Sequence, residues 1–270
     1  METYHVNIPS SPRVPILVSV PHCGTVFPEE IKEDFIAELI KAPDDTDWFV
    51  DRLYSFAPSL GITMISAALS RWVIDLNRDP DSKPLYTDGR IITALCPATT
   101  FLGEPLYRDG RKEVALEEVL RRKELYFQPY HQKVEELLAK MKSEFGKVLL
   151  WDCHSIRQVV PTIQKKRFPD LILGSADGQS AANEFIQTAL RRLGSDNYSL
   201  EHNHPFKGGY ITRHYGRPGN RQHALQLEMT KINYMDDAQF EYHPSRADKI
   251  GRLLRATLKE LGESLIIHKD

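Results

Sequence analysis

Short apolar runs rich in β-branched residues alternate along the chain with longer segments of helical spacing. Ile16-Leu17-Val18-Ser19-Val20 is apolar almost throughout and closed by Pro21, the pattern of a buried strand. From about Glu29 to Ile40 the spacing predicts a helix. From Asp47 to Phe56, Trp48, Val50, Leu53 and Tyr54 predict a second helix, with an Asp near its start as cap. Ile62 to Ala67 and Trp72 to Leu76 read as two further strands. The longest helical pattern runs from Glu113 to Phe145, where Pro129 is expected to split or kink it. Val148 to Trp151 and Leu171 to Leu173 read as strands, and Ala181 to Leu193 as a helix ended by Gly194. A Gly-rich segment around Gly208-Gly209 precedes a strand from Ala224 to Glu228, and an amphipathic helix from about Ser245 to Leu261 closes the pattern.

Continuous apolar strands between helices predict an α/β fold, a sandwich with a mixed, mostly parallel sheet buried on both faces. No linker-like stretch divides residues 1–270, so a single domain is expected. The segment from about Asp79 to Gly110 is rich in Pro, Gly, Asp and Thr, and loops of that length often serve as lids or binding loops.

Composition narrows the classes of partner. With 270 residues and a net charge of -2, the chain gives no electrostatic case for nucleic acid or an anionic membrane. No apolar run approaches the roughly 20 residues that span a bilayer. The first residues lack the basic and apolar regions of a signal peptide. Three widely spaced cysteines do not make a disulfide framework, so a reducing cytoplasm is the expected compartment.

The chemistry gathers where the predicted strands end. One ends in Pro21-His22-Cys23-Gly24, another in Asp75-Leu76-Asn77-Arg78, a third in Asp152-Cys153-His154-Ser155 and the last in Gln226-Leu227-Glu228. Open α/β sheets place their ligand crevice at carboxyl strand ends. Two neutral imidazoles and a carboxylate suit a zinc ion with one position left open, and the Asp45-Thr46-Asp47 cluster is the nearest source of the carboxylate after His22. Asp152 shares a strand face with His154 and is placed to orient it. Glu228, after an apolar run, is half buried at the crevice edge, which raises a carboxyl toward the range of a general base. Arg78 and Arg71 suit bidentate contacts to substrate carboxylates, with Asn77 beside them. Cys23 and Cys153 adjoin the two histidines, and a thiol nucleophile is the competing reading. Alternation along an extended chain turns Cys153 to the core when His154 faces the crevice.

The runs Val18-Ser19-Val20-Pro21-His22-Cys23-Gly24, Asp45-Thr46-Asp47-Trp48, Ser70 to Arg78, Asp152 to Arg157 and Phe206 to Gly216 resemble those of the N-formylglutamate amidohydrolases of histidine degradation. The resemblance covers about residues 8 to 240. That family is similar in fold to the zinc carboxypeptidases and aspartoacylases, which implies a three-layer, phosphorylase/hydrolase-like α/β/α sandwich. Zinc carboxypeptidases pair a His-x-x-Glu motif with a later His, an Asn-Arg pair for the substrate carboxylate and a late Glu base. By resemblance these are His22, His154, Asn77-Arg78 and Glu228. Thr25 stands where the motif's carboxylate belongs. Asp47 is then expected as third ligand in preference to Asp45, because Asp47 begins the helix pattern. The resemblance implies one divalent ion, zinc by preference, on His22, Asp47 and His154. It implies a small N-acyl acidic amino acid as substrate, Glu228 as base and Arg71 as oxyanion partner. The substrate carboxylates fall to Asn77, Arg78, Arg213 and Lys207.

Overall fold

The computed structural model describes residues 2–10, 13–81 and 94–267. The middle of the predicted long loop, residues 82–93, lies outside the described residues.

The strands are β1 Tyr4–Asn7, β2 Ile16–Val20, β3 Thr63–Ala67, β4 Val148–Ile156, β5 Leu171–Gly174, β6 Leu200–His202 and β7 Gln222–Thr230. The helices are α1 Glu29–Lys32, α2 Ala37–Lys41, α3 Val50–Leu53, α4 Leu116–Arg122, α5 Gln128–Phe145, α6 Asn183–Leu193, α7 Tyr210–Tyr215 and α8 Pro244–Ile267. They form a mixed sheet in the order β1-β3-β2-β4-β7-β5-β6, flanked by helices. The four central strands β3, β2, β4 and β7 run parallel; β1 pairs antiparallel with β3, and β5 antiparallel with β7. Among the described residues no helix is long and apolar enough to cross a membrane.

Alternation along each central strand divides the interior into two cores. Val18, Leu149, Trp151, Cys153, Leu225 and Leu227 face one, closed by α3, α6 and α8 through Leu53, Phe185 and Leu254. Leu17, Val148, Leu150 and Ala224 face the other, closed by α5 and α7 through Tyr130, Val134 and Ile211. On this second face the apolar residues give way toward the carboxyl ends to Ser19 on β2, Asp152 and His154 on β4, and Gln226 and Glu228 on β7. Polar groups there are buried at the strand ends with apolar packing beneath them.

Several predicted elements take another form. The Glu29–Ile40 pattern becomes two short helices, because Ile36 donates to the Leu106 carbonyl and Phe35 bridges to Tyr107. Trp72 to Leu76 is no strand. It is a buried turn in which Val73 donates to Ser70, Asp75 to Leu95 and Asn77 to the Asp75 carboxylate. Its apolar side chains pack into the second core, so burial gave it a strand-like pattern. Asp47 caps no helix: α3 begins only at Val50, after Phe49 at φ 63°. The 113–145 pattern is α4 and α5 joined by a π-helical stretch, Lys123–Phe127, with Pro129 in the first turn of α5. The wide π turn accommodates the missing N–H without ending the helix.

Gly24 passes the end of β3 so closely that a Cβ would lie 2.3 Å from the Leu69 carbonyl oxygen and 2.5 Å from the Ala68 carbonyl carbon. Backbone must move to admit it. Gly24→Ala is expected to lower unfolding stability by about 1–3 kcal/mol, read as a lower urea midpoint. An unshifted midpoint would show that the turn after His22 has room for a side chain.

Candidate metal centre

Three chain segments meet at the carboxyl ends of β2 and β4. His22 lies in the turn that leaves β2, and the backbone N–H of Asp47 donates to its carbonyl at 2.9 Å. That bond ties the 43–49 loop to the turn and aims the Asp47 carboxylate at the histidines. His154 projects from β4 on the same face as Asp152. Nδ1 of His154 lies 3.1 Å from Nδ1 of His22 and 3.2 Å from Oδ2 of Asp47, and Nδ1 of His22 lies 3.6 Å from the same oxygen. All three residues are at most 3% exposed.

Each imidazole is held from behind by a carboxylate. Nε2 of His22 donates to Oδ1 of Asp75 at 2.8 Å, and Nε2 of His154 to Oδ2 of Asp152 at 3.0 Å. Carboxylates only accept, so each Nε2 carries a proton and each Nδ1 faces inward, able to bind a cation when it carries no proton. Two lone pairs and a carboxylate oxygen at such distances repel unless something positive lies between them. The other oxygen of Asp47 is buried without a hydrogen bond. Four donors about 2.0–2.1 Å from a tetrahedral zinc ion would be separated by roughly 3.4 Å. The observed 3.1, 3.2 and 3.6 Å bracket that value. These residues form a buried group that could hold a metal ion.

The electrostatics agree with this. Burial alone would raise Asp47, yet the hydrogen bonds and charges of His154 and His22 outweigh it and hold the carboxyl below its ordinary range. Burial would lower His154, but Asp152 and Asp47 raise it well above the usual imidazole value. The same surroundings that favour a proton on His154 would favour a cation between these donors, so a metal ion would compete with that proton. Asp75 stays ionised despite burial because Arg71, Arg78 and His22 surround it.

Asp45 lies near the cluster but does not enter it. Its carboxylate accepts Trp72 Nε1 at 2.8 Å and the backbone N–H of Phe101 at 3.0 Å, which pins the 99–105 segment to the Trp72 turn. Arg71 donates to Oδ2 of Asp75 at 2.7 Å and stacks its guanidinium 4.7 Å from the Phe101 ring centre. Arg78 Nε lies 3.7 Å from the same Asp75 oxygen. Asn77 accepts the Ile211 N–H at 2.8 Å, and its amide nitrogen is 3.0 Å from Nε2 of His154. It fits only because residue 209 is glycine: a Cβ there would come within 2.3 Å of the Asn77 amide. Gly209 in turn donates to Gln226. Arg213 is exposed on α7 with Nε on the Gly208 carbonyl, and Lys207 pairs with Asp177 at 2.9 Å.

Glu228 stands directly across from His154 in the β4–β7 register and on the same face. Its half-buried side chain makes no hydrogen bond among the described residues. Withdrawal from water pushes the carboxyl up to about 8, with Asp47 and Asp152 reinforcing and His154 and Arg71 opposing. Cys153 faces the opposite core. Cys23 directs its thiol to the Val20 and Ala67 carbonyls, and burial, then Asp51 and Asp47, push it well above the ordinary thiol value. A thiolate nucleophile is disfavoured at that position. The participant that the sequence reading gave no role is Asp75. Its signal was an Asp between Ile74 and Leu76, a carboxylate that burial obliges to find partners.

The family model of the N-formylglutamate amidohydrolases matches residues 14–235. The chain is 44% identical to N-formylglutamate deformylase of Pseudomonas aeruginosa over 257 residues, 94% of this chain and 93% of that protein. It is 38% identical to N-formylglutamate deformylase of Pseudomonas putida over 252 residues, 92% of each. The crystal structure of N-formylglutamate amidohydrolase from Ralstonia eutropha JMP134 matches with a TM-score of 0.79 at 27% identity, covering 98% of both chains.

Replacing the carboxylate behind His22 separates holding a ligand from being one. Asp75→Asn is expected to weaken zinc binding about 10–100-fold, whereas Asp45→Asn leaves it unchanged, both read by competition with a chromophoric chelator. Equal losses would mean that the tautomer is not set by Asp75.

Proposed function

The chain belongs to the N-formylglutamate amidohydrolase family, and we propose that it hydrolyses N-formyl-L-glutamate to formate and L-glutamate. The observation that carries this reading is the buried His22–Asp47–His154 group with the half-buried Glu228 carboxyl beside it. Two imidazoles and a carboxylate are a donor set that zinc takes in hydrolytic sites, so zinc is the proposed ion. Bound there, it would supply the Lewis acidity that polarises the formyl carbonyl and makes water a nucleophile near neutral pH.

The residues of the chain do the remaining work. Glu228 accepts the proton of the attacking water as the new C–O bond forms. It returns that proton to the amide nitrogen as the C–N bond breaks, so formate and the free amino group leave together. Burial keeps Glu228 basic enough to accept, and the positive charge of a bound cation favours the ionised form that this step needs. Arg71, fixed by Asp75, offers positive charge to the oxygen on which negative charge develops. Arg78, on the turn that Asn77 locks against Gly209, takes one substrate carboxylate. Lys207 and Arg213 border the Gly-rich loop and add positive field that draws in an anionic substrate.

Glu228→Gln is expected to lower the rate of formate release from N-formyl-L-glutamate by about 10²–10⁴-fold while metal content stays the same. Near-normal turnover in this variant would remove Glu228 as the base. Full activity in protein stripped of metal by a chelator would overturn the metal-dependent reading.

A further inference from the structure

Beyond the cluster, the carboxyl ends of β4 and β7 enclose a second, narrow cavity lined by Asp44, Asp45, Phe101, Ser155, Arg157 and Lys231. Its enclosed part is narrow, with room for about one water molecule, and it opens to solvent at its mouth. Its walls adjoin the metal centre in sequence, and the charges of Asp47 and Asp45 reach Lys231. Ser155 follows His154, Asp45 lies two residues before Asp47, and Lys231 lies three residues after Glu228, just past the end of β7.

Lys231 is only 2% exposed, and its ammonium makes one hydrogen bond, to the Asp44 backbone carbonyl at 2.9 Å. An ammonium carries three donors, so two remain for the cavity. The acids that share the lining are already engaged. The Asp44 carboxylate receives Nε of Arg157 at 2.8 and 2.9 Å, and that of Asp45 receives Trp72 and Phe101. A buried charge without a hydrogen-bonded counter-charge is costly to retain in a fold. Burial accordingly lowers Lys231 from the ordinary lysine range, against the more distant charges of Asp47, Asp44 and Asp45. Beside it, the Ser155 hydroxyl accepts a hydrogen bond from the Tyr234 hydroxyl at 2.8 Å, which leaves its own O–H to donate. Exposed Leu102 on the lining, with Phe101 beside it, gives the cavity apolar surface suited to a short methylene chain.

We propose that Lys231, with Ser155, seats the side-chain carboxylate of a dicarboxylic N-acyl amino acid whose amide lies at the metal centre. The cavity then sets the preference for acidic over neutral substrates, and the second carboxylate belongs here instead of with Arg213. This assignment rests on the deacylase reading above.

The test compares N-formyl-L-glutamate with its neutral isostere N-formyl-L-glutamine. In Lys231→Met, KM for the glutamate substrate is expected to rise by about 30-fold or more, the size of a lost buried charge contact. Its zinc content stays as in the parent, and the KM for the glutamine substrate rises by much less than that for the glutamate substrate. Ser155→Ala, which leaves the lysine in place, should shift the same preference more weakly. Retention of the acidic preference in both variants would overturn the assignment. So would loss of zinc and an equal slowing of both substrates in Lys231→Met, which would show that the lysine only braces the Asp44–Asp47 loop. If the parent protein released no formate from either substrate, the deacylase reading would fall. Calorimetric binding of L-glutamate would still judge the pocket, since Lys231→Met must weaken it.

Discussion

Asp75 and Asp152 each accept the outer N–H of a histidine, and the candidate metal centre depends on that pair of bonds. They fix which nitrogen of each ring faces inward, so that two lone pairs converge on the carboxylate of Asp47. Asp75 does more than orient a ring. It also accepts the Asn77 backbone N–H at 2.9 Å and the Arg71 guanidinium at 2.7 Å. One buried carboxylate thereby joins the candidate ligand His22, the proposed oxyanion partner and the turn that presents Arg78. Its negative charge is matched by cations on several sides, which is the condition under which a protein can keep an ionised group in its interior.

The sheet makes this arrangement affordable by giving each strand two jobs. On β4, Leu149, Trp151 and Cys153 serve one core, while Asp152 and His154 serve the site from the other face. On β7, Leu225 and Leu227 pack as Gln226 and Glu228 turn toward the same cleft. Because alternation is fixed by the pleat, a slip of one residue in the β4–β7 register would turn Glu228 into the first core and Leu225 and Leu227 toward the cleft.

Most of the sheet was legible in the sequence, since β2, β3, β4, β5 and β7 are apolar runs of the kind that strands buried on both faces require. The edge strands were not. Tyr4–Asn7 and Leu200–His202 carry polar, partly exposed side chains and owe their extended form to pairing partners. Trp72 to Leu76 misled for the converse reason: a buried turn and a buried strand place equally apolar residues in the chain. The sequence marked His22, His154 and Glu228 by their places at strand ends. Local pattern suggested Asp47 for the wrong reason, as the start of a helix. What turns its carboxylate inward is the bond from its N–H to His22, a contact that no local pattern encodes. The pairing of His22 with Asp75 spans 53 residues and is invisible for the same reason.

The two histidines stand 132 positions apart in sequence, yet their ring nitrogens lie 3.1 Å from each other. Closing so long a loop, and pairing parallel strands across it, are steps that a chain completes late in folding. The three donor atoms therefore come together only in the nearly finished sheet, and a partly folded chain has no competing version of the pocket. A cation that recognises this geometry binds the native state alone, so its free concentration contributes to holding the fold closed by mass action. If the proposed metal site is filled in this way, metal supply would govern how long the protein survives as well as how fast it works.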